Sequence, residues 1–594
     1  MQYDLKITGG TIIDGTGSKP YTANIAVKDG KIVEIGECSG DASKNIDANG
    51  AIVTPGFVDL HTHYDGQISW DEELMPSVNH GVTTIVTGNC GVGFAPCRAK
   101  DHEKLIRLME GVEDIPGSAL SEGITWDWES FPEYMQAIDK IPHTLDFAMM
   151  VPHDPLRVFV MGERAIAEEM ATKDDIEKMK KLTREAMQAG AIGFSTGRSD
   201  FHKSADGDWT PASEAHPDEL AGIATALNGL SHGVLHAVND FNQERDGDQF
   251  DAEFDILEKF FRAAPGHKSS MTWMQRDLVP DHWQRIAKRT ETLQKDGVEL
   301  FLQAAPRAIG VFLGLQSTFH PLMAFPSYIA MADLPLAERV KKLRDPEMKK
   351  KMLAETPVQM AGPGSSIPPM ADLLIAGMEF VAEKLFQLDP NGDGEVDYEQ
   401  TQENSIAQKA RDAGVSVWDK IYDETLKDNG KALIYFPAYN YTDMNYDAVY
   451  TMMNNPYFLP GLTDGGAHVG YICDASFPTY LLTHWTKKRE DGGRNGKTIS
   501  LPRAIQMMTA DGADYLGFAD RGRLKVGLKA DINVIDYDNL SLKVPFMVND
   551  LPAGGQRLLQ PVTGYKATFV SGEQVIDNDK VTTARPGRLV RGGH

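Results

Sequence analysis

The chain has 594 residues, more than one ordinary domain, and its 42% hydrophobic and 24% charged residues are typical of a globular protein. Its net charge of −26 argues against nucleic acid and anionic membranes as partners, because an acidic surface repels phosphate groups. It contains no run of about 18 apolar residues that would predict a membrane span. The four cysteines are too few for a disulfide scaffold and the first residues do not resemble a secretory signal, so we expect a cytoplasmic protein.

Short strands separated by turns are predicted at both ends of the chain. The first end contains "YDLKITGGTIID" and "NIAVKDGKIVEIG", in which Asp29 and Gly30 form a hairpin turn. The other end contains "GRLKVGLKADINVIDYD" and "YKATFVSGEQVID". Neither end is large enough for a core of its own, so we expect residues 1–55 and 520–594 to fold together as one discontinuous β-sandwich domain.

Between these ends, apolar segments of high β-propensity alternate with amphipathic helical segments, which is typical of βαβ units. The predicted strands are 56–63, 82–90, 145–153, 190–197, 233–240, 269–275, 298–307 and 458–468. Eight such units indicate an α/β fold, a (β/α)8 TIM barrel over residues 56–519, with any active site at the C-terminal ends of the strands. Two long insertions, at about 99–142 and 308–457, are expected to cover those strand ends as lids or pocket walls.

Two histidines stand at the end of the first predicted barrel strand, in "DLHTH". Side chains alternate along a strand, so His61 and His63 point to the same side, here into the mouth of the barrel. Two converging neutral imidazoles are typical of a divalent-metal site, most often zinc. Histidines that only form hydrogen bonds at a strand end would give the same pattern.

Two of the four cysteines, Cys90 and Cys97, lie in "VTGNCGVGFAPC" after the second predicted strand. A reducing cytoplasm disfavours a disulfide between them. A metal ligand, a reactive thiol and a packed thiol all remain open for each cysteine from this stretch alone.

Several motifs taken together resemble a known family. "TPGFVDLHTH", preceded by "VKDGKIVEIG" and followed near the C-terminus by "GLKADINVID", is similar to the amidohydrolase superfamily of metal-dependent barrel hydrolases. "HTHYDGQ", "GNCG" and "GAIGFSTG" resemble its D-aminoacylase branch, the N-acyl-D-amino-acid deacylases. The resemblance covers essentially the whole chain. It implies a zinc-dependent hydrolase that cleaves an amide C–N bond of a small molecule, such as an N-acyl amino acid, by attack of metal-activated water.

The resemblance also implies a role for each cysteine. In this branch a cysteine at the end of the second strand is a metal ligand, in place of the carboxylated lysine that the fourth strand supplies elsewhere in the superfamily. Cys90 matches that position, and the fourth strand ends here in "FSTG" without a lysine. A thiolate is a strong zinc ligand, which agrees with this role. Cys97 matches no ligand position and is expected to be a packed or partly exposed free thiol.

Asp464, in "GLTDGGAH", matches the aspartate of the superfamily that contacts the metal and acts as general base, then protonates the leaving amine. An aspartate in a tight turn before two glycines would give the same local sequence. With the resemblance, the implied metal ligands are His61, His63, Cys90 and Asp464, and Asp464 is the implied catalytic residue.

The sequence departs from the family at the second metal position, which takes one histidine from the fifth strand and one from the sixth. Val238 stands at the first of these positions, and "SSMTWMQ" contains no histidine. His236 lies two residues before Val238 on the same side of the strand and is the alternative ligand for a second metal. We therefore expect one zinc ion per chain, with a two-metal site completed by His236 as the alternative.

The arginine and lysine that help to bind the substrate carboxylate in this branch are absent as well. Other polar side chains near strand ends are candidates for this role, because an arginine can bind a carboxylate through two hydrogen bonds. These candidates are His153, Arg157, Arg198, Arg307 and His468. Salt bridges at the barrel rim would explain the arginines equally well, and a loop-capping role would explain His468.

Two other functions remain open for the whole chain. The same site could hydrolyse a cyclic amide, a carbamate or a lactone, and the missing histidines of the fifth and sixth strands would also suit a barrel that binds a small molecule without catalysis. Whether the chain forms a homo-oligomer is open as well.

The segment "DPNGDGEVDYEQ", residues 389–400, resembles an EF-hand calcium loop. Asp389, Asn391, Asp393 and Asp397 occupy its first, third, fifth and ninth positions, but Gln400 replaces the glutamate of the twelfth. We therefore favour a solvated acidic turn over a Ca²⁺ site.

Overall fold

Strands form both ends of the chain and recur through its middle in the computed structural model, which describes residues 2–241, 247, 249–362, 364–365, 367, 369–390, 392–489 and 496–593. The strands are β1 (Tyr3–Ile12), β2 (Tyr21–Lys28), β3 (Lys31–Gly36), β4 (Ala42–Asp47), β5 (Ile52–Pro55), β6 (Phe57–Asp59), β7 (Val82–Thr87), β8 (Asp146–Pro152), β9 (Gly193–Arg198), β10 (Val234–Asn239), β11 (Lys268–Thr272), β12 (Leu300–Ala304), β13 (Gly310–Leu313), β14 (Phe386–Gln387), β15 (Ile434–Pro437), β16 (Phe458–Pro460), β17 (Ile532–Ile535), β18 (Ser541–Leu542), β19 (Phe546–Val548), β20 (Arg557–Leu559), β21 (Val562–Thr563), β22 (Tyr565–Val570), β23 (Glu573–Asp577) and β24 (Lys580–Val581).

Helices fill most of the segments between the barrel strands. The α-helices span His102–Glu113, Gly117–Gly123, Phe131–Ile138, His153–Met161, Glu163–Ile166, Lys173–Gln188, Pro217–Ala224, Phe250–Arg262, His282–Lys295, Pro326–Ile329, Leu336–Leu343, Pro346–Leu353, Pro369–Ala376, Met378–Val381, Ile406–Ala413, Val417–Thr425, Asp447–Met453, Phe477–Tyr480, Leu501–Gln506 and Gly512–Leu516. Two π-helical segments span Leu481–Lys488 and Met507–Asp511. Within the described ranges, no helix combines the length and the apolar character needed to cross a bilayer.

Eight parallel strands, β6 to β12 and β16, form one sheet that closes into a barrel. The strands are largely buried, as is usual for parallel strands covered on both faces, and all seven residues of β8 are buried. The first and last strands join just beyond their C-terminal ends, where His63 N donates to Gly465 O at 2.8 Å and Thr62 pairs with Gly465. Each of the eight predicted strands overlaps one of these strands. The predicted TIM barrel is therefore confirmed.

The two chain ends share one nine-stranded sheet, in which β5 pairs in parallel with β1 and antiparallel with β17. Its hydrophobic core contains Ile7, Ile25 and Val53 from the first end together with Ile532 and Phe569 from the other. These apolar side chains from the two ends share one buried core, so each end completes the core of the other. The predicted fold class, with a β domain built from both chain ends, is confirmed, whereas the domain bounds 1–55 plus 520–594 and 56–519 stay a prediction.

The two insertions meet above the C-terminal ends of the barrel strands. The first contains the helices His102–Glu113 and Phe131–Ile138, and the second contains the small sheet of β13, β15 and β14. Asp114, at the end of the first of these helices, accepts hydrogen bonds from Gly470 N at 3.0 Å and from Thr318 Oγ1 at 2.6 Å. One carboxylate thereby links the first insertion to the loop after β16 and to the second insertion.

The EF-hand-like segment 389–400 forms a turn around its first residue. The Asp389 carboxylate accepts hydrogen bonds from the backbone N–H groups of Gly392 at 2.7 Å and Gly394 at 2.8 Å. Asn391, the predicted third-position ligand, lies outside the described residues, and the buried Gln400 donates to Gln387 O at 2.6 Å. Calcium binding at this turn is untested, and a solvated acidic turn stays the favoured prediction.

Candidate metal centre and active site

Three buried side chains bring metal-binding atoms together at the C-terminal end of the barrel. His61 Nε2 lies 3.3 Å from Cys90 Sγ, and His63 Nε2 lies 3.6 Å from the same sulfur. Neighbouring ligands of a tetrahedral zinc ion lie about 3.3–3.7 Å apart, because its bonds are about 2.0–2.3 Å long. Among the residues that the structure describes, these three form the only group of His, Cys and acidic side chains spaced to hold a metal.

Asp464 approaches this group from the loop that follows β16. Its Oδ1 lies 3.5 Å from His61 Nε2 and 3.8 Å from His63 Nε2, and its backbone N donates to His61 O at 3.2 Å. Burial, together with the charges of Asp474 and Asp59, raises the pKa of the Asp464 carboxyl well above its usual range. With 12% of its side chain exposed, Asp464 is in contact both with the cluster and with the opening of the barrel.

The "GNCG" turn places Cys90 through an unusual backbone. The backbone of Cys90 is in the left-handed conformation, with φ 55°. Gly88 and Gly91 on either side have φ of 81° and 77°. A Cβ on Gly88 would lie 2.1 Å from Met150 O, so only glycine allows this loop to approach β8. The turn therefore needs its glycines to direct the Cys90 thiol into the barrel.

The Cys90 thiol is held in an environment that disfavours its ionised form unless a cation is present. Burial is the largest cause, and the carboxylates of Glu113, Asp464 and Asp240 add to it, so the pKa of Cys90 lies well above its usual range. A bound divalent cation reverses this effect, because it stabilises the thiolate directly. The cluster is thus suited to a metal and poorly suited to a free reactive thiolate.

Each histidine of the cluster has an outer partner at its second nitrogen. Gln303 Oε1, from β12, lies 3.0 Å from His61 Nδ1, and Glu113 Oε1 lies 3.2 Å from His63 Nδ1. A carboxylate or amide oxygen can only accept a hydrogen bond, so both oxygens favour a proton on Nδ1 and leave Nε2 free for a metal. Neither residue was predicted from the sequence. A polar Gln303 within an otherwise apolar strand was a usable signal, whereas nothing in the insertion helix indicated Glu113.

His236, the alternative ligand for a second metal, lies deeper in the barrel beside His61. Their ring centroids are 5.1 Å apart, and His236 Nδ1 lies 2.9 Å from Ser270 Oγ. His236 Nε2 has no hydrogen-bond partner in the described part of the chain. Its nitrogens are not part of the three-residue group, so a metal role for His236 stays a prediction.

The family follows from a match over most of the chain. Residues 44–576 match the sequence profile of the Amidohydrolase family. The chain belongs to the amidohydrolase family. This membership agrees with the barrel and with the position of the cluster at its C-terminal end.

Similarities to individual amidohydrolases indicate the branch of the family to which this chain is related. The D-aminoacylase of Alcaligenes xylosoxydans xylosoxydans is 34% identical over 238 residues, which are 40% of this chain and 44% of that relative's length. The N-acyl-D-glutamate deacylase of the same organism is 24% identical over 596 residues, covering 99% and 96% of the two chains. A solved N-acyl-D-glutamate deacylase from Bordetella bronchiseptica, complexed with zinc and a phosphonate inhibitor, has the same fold, with a TM-score of 0.62, 22% identity and complete coverage of both chains. The resemblance to the D-aminoacylase branch is confirmed.

Two of the predicted substrate-binding residues of this amidohydrolase lie in a buried network behind β8. His153 Nδ1 lies 2.9 Å from Thr196 Oγ1, and His153 Nε2 lies 3.0 Å from Glu219 Oε1. Arg157 Nε donates to the same carboxylate oxygen at 2.7 Å. Both side chains are buried, and their polar groups are already paired within the protein. This arrangement agrees with the structural alternative for the pair.

Arg198 and Arg307 are paired in the same way. Arg198 donates to both oxygens of Glu253, at 2.7 and 2.8 Å, and Arg307 Nη2 lies 2.9 Å from Asp474 Oδ1. Breaking a buried ion pair is costly, because it leaves an uncompensated charge. The contacts therefore favour salt bridges over substrate binding for these two arginines.

His468, the fifth predicted residue, does lie at the edge of the cluster. Its Nε2 is 3.7 Å from Glu113 Oε2, and its Nδ1 is 3.0 Å from the Tyr471 hydroxyl. Its ring centroid is 6.4 Å from that of His202, which belongs to the loop after β9. Of the five predicted residues, His468 is the one with contacts that reach the metal cluster.

A buried arginine that the sequence analysis missed also stands at a strand end. Arg276, beyond β11, is 3% exposed, and its Nη2 donates to Asp240 Oδ1 at 2.8 Å and to Asn239 O at 3.2 Å. Its guanidinium lies 5.9 Å from the ring centroids of both Phe241 and Tyr439. Its Nε has no hydrogen-bond partner among the described residues. The sixth predicted strand ended at Gln275, one residue too early to include it.

Proposed function

We propose that this amidohydrolase is a zinc-dependent enzyme that cleaves the amide bond of an N-acyl amino acid or a related small amide. The observation that carries the proposal is the convergence of His61, His63 and Cys90 beside Asp464 at the mouth of the barrel. The relatives support the substrate class, since the names of two of them describe removal of an acyl group from an amino acid.

His61, His63 and Cys90 are the proposed holders of the ion, with Asp464 as the fourth group. Two imidazoles and one thiolate suit zinc better than Mg²⁺ or Ca²⁺, which prefer oxygen ligands. When bound, zinc supplies Lewis-acid chemistry: it polarises the amide carbonyl and makes water more acidic. We propose one ion per chain, because Val238 offers no donor atom where a second ion would need one. Two ions, with His236 as a ligand, remain the alternative.

Asp464 is the proposed proton carrier. Its Oδ1 faces both histidine nitrogens, so a proton taken from the attacking water is held next to the reacting carbon. The water oxygen forms a bond to the carbonyl carbon, the C–N bond breaks, and Asp464 returns the same proton to the leaving nitrogen. The products are a carboxylic acid and an amine, and the Asp464 carboxylate is regenerated.

Arg276 is the proposed partner of the substrate carboxylate. It stands at the same end of the barrel as the cluster, and its pairing residue Asp240 acts electrostatically on Cys90. Among the described residues, the hydrogen bonds of Arg276 use only Nη2, whereas a guanidinium carries five N–H donors. Arg157, Arg198 and Arg307 are less suited to this role, because each donates to other protein groups from two or three of its guanidinium nitrogens.

Elemental analysis and a substrate panel test the proposal. We expect about one zinc ion per chain in the purified protein, its loss in Cys90→Ala, and turnover of at least one member of a panel of N-acyl-D- and N-acyl-L-amino acids. Turnover restricted to cyclic amides, carbamates or lactones would replace the proposed substrate class. A metal content that is low and unaffected by Cys90→Ala would contradict the enzyme and favour a non-catalytic barrel. The cytoplasmic location and the possible homo-oligomer stay predictions from the sequence.

A further inference from the structure

Glu113 is a buried carboxylate that lies beside two histidines of the site. It is the last residue of the helix His102–Glu113 in the first insertion, and it is 1% exposed. Its Oε1 lies 3.2 Å from His63 Nδ1, and its Oε2 lies 3.7 Å from His468 Nε2. Neither oxygen has a well-aligned hydrogen bond within the described residues.

The position of Glu113 is unfavourable for the helix itself. A negative charge at a helix C-terminus opposes the helix dipole, and a buried carboxylate without a hydrogen-bonded partner is costly. Helix stability therefore gives no reason for a glutamate here. An imidazole N–H that points at the carboxylate would compensate for both effects.

We propose that Glu113 is a positioning residue, one that keeps the proton of His63 on Nδ1 and thereby holds His63 Nε2 ready for the metal. This inference rests on the proposed function, since it assumes that the cluster binds a metal. A carboxylate behind a metal-binding histidine orients the ring and makes it a stronger ligand. The geometry has this order, with Glu113 Oε1 next to Nδ1 and Cys90 Sγ next to Nε2 of the same ring.

The tautomer of His468 supports the same reading of Glu113. The Tyr471 hydroxyl lies 3.0 Å from His468 Nδ1, and a hydrogen bond donated there leaves the proton of His468 on Nε2, the nitrogen that faces Glu113. Both histidines then place an N–H group beside the carboxylate, one near each oxygen. Glu113 in this way connects the ligand at the end of the first strand to the loop after the eighth.

Docking of the first insertion brings Glu113 to His63. Asp114, the next residue, is held by Gly470 N and Thr318 Oγ1, and Gly111 packs so closely that a Cβ there would lie 2.2 Å from Lys203 O. The insertion helix is thereby fixed on two sides within one turn of Glu113. Metal affinity consequently depends on a segment outside the barrel that supplies no direct ligand.

The test compares Glu113→Gln with Asp114→Asn in the full-length chain. Glutamine has the size of glutamate but lacks its charge, whereas Asp114→Asn removes the neighbouring charge and keeps an amide oxygen that can accept both docking hydrogen bonds. Zinc affinity is measured by competition with a chromogenic chelator, and the Co²⁺-loaded proteins are compared by their visible spectra, which report ligand geometry without any substrate. Thermal unfolding of the metal-free proteins is recorded in parallel.

We expect Glu113→Gln to weaken zinc binding about 10–100-fold and to change the Co²⁺ spectrum, while Asp114→Asn binds zinc as the wild type does. Wild-type affinity in Glu113→Gln, or an equal loss in both variants, would overturn the proposal. If Glu113→Gln does not fold, Glu113→Asp replaces it: the shorter side chain withdraws the carboxylate from His63, so unchanged affinity contradicts the proposal there too. A wild-type protein that binds zinc but hydrolyses no amide contradicts the proposed function alone, because the affinity ratio is still measured.

Discussion

His61 Nδ1 lies 3.0 Å from Gln303 Oε1, and this contact determines which nitrogen of His61 faces the metal cluster. The amide is itself held in place, because Gln303 Nε2 donates to Ser270 Oγ at 3.0 Å and the Tyr515 hydroxyl donates to the same oxygen at 2.8 Å. With the amide oxygen directed at His61, the proton lies on Nδ1 and the lone pair of Nε2 points at Cys90. Hydrogen bonds from two other barrel strands thus orient one of the proposed metal ligands.

Gln303→Ala removes this acceptor, and we expect it to weaken zinc binding about 10–100-fold, because His61 then loses its fixed tautomer and ring orientation. Gln303→Glu is the matched control, since it keeps an acceptor oxygen within reach of His61 Nδ1 and is expected to retain more affinity than alanine. Chelator competition measures both variants. A Gln303→Ala protein with wild-type affinity would show that His61 is oriented by the barrel alone.

Cys90 and Cys97 offer a matched pair of substitutions, since both are buried and only Cys90 belongs to the cluster. Cys97 Sγ lies 3.5 Å from Arg98 O, and burial raises the pKa of its thiol to about 12. We expect Cys90→Ala to abolish stoichiometric zinc binding, whereas Cys97→Ala retains the metal and loses about 1 kcal/mol of unfolding free energy. Elemental analysis and chemical denaturation separate the two effects. Equal metal content in both variants would remove Cys90 from the site.

Features of the site that follow from strand periodicity were predictable from the sequence. His61 and His63 are two residues apart on a buried strand, so they had to share a side of it, and the structure directs Nε2 of both at Cys90. The glycines around Cys90 also have a local cause, since the turn at this point needs left-handed backbone. Such features depend on residues that are close in the chain, so the sequence alone reveals them.

Pairings between distant segments were not predictable in this way. Arg198 looked available to a substrate because it ends a barrel strand, yet its partner Glu253 comes from the helix after the next strand. Glu113 lies in an insertion whose docking is fixed by contacts with Gly470 and Thr318, both more than two hundred residues further along the chain. No period or motif records such contacts, so these partners became visible only with the fold.

Asp464→Asn tests the proton carrier separately from the metal. An amide cannot accept the proton of the attacking water, so we expect kcat to fall about 10²–10⁴-fold with a smaller change in KM. His61, His63 and Cys90 remain, and zinc should still bind. Single-turnover kinetics and elemental analysis on the same preparation provide the two readouts. Undiminished kcat in a zinc-loaded variant would exclude Asp464 from catalysis.

Arg276→Ala tests the binding of a substrate carboxylate. A hydrogen bond to a charged group contributes about 1.5–3 kcal/mol, so kcat/KM for an N-acyl amino acid is expected to fall about 10–100-fold. The corresponding amino-acid amide lacks the carboxylate and is the internal control, with little change expected. If kcat/KM falls equally for both substrates, Arg276 supports the pocket through its pair with Asp240 and does not bind the substrate carboxylate.

Acid stability is expected to depend on Glu399, which fastens the second insertion to the barrel. Arg489 donates to both of its oxygens at 3.0 Å, and His484 Nε2 lies 2.6 Å from Oε2. Burial by itself raises the pKa of Glu399, but the hydrogen bonds from His484 and Arg489 outweigh it and lower the pKa from 4.5 to about 2.

The unfolded chain takes up a proton on Glu399 near pH 4.5, whereas the folded chain does so only near pH 2. The stabilisation is therefore complete above pH 4.5 and is lost as the pH falls through 2; a shift of this size corresponds to about 3 kcal/mol. We expect Glu399→Gln to lower the unfolding free energy of the metal-free protein by about 3–5 kcal/mol at pH 7, because it leaves Arg489 buried without its partner, and by progressively less toward pH 2. Glu403→Gln, at an exposed position of the same insertion, is the control. Denaturation at a series of pH values provides the test, and a difference from wild type that stays constant between pH 7 and pH 2 would contradict the ionic role of Glu399.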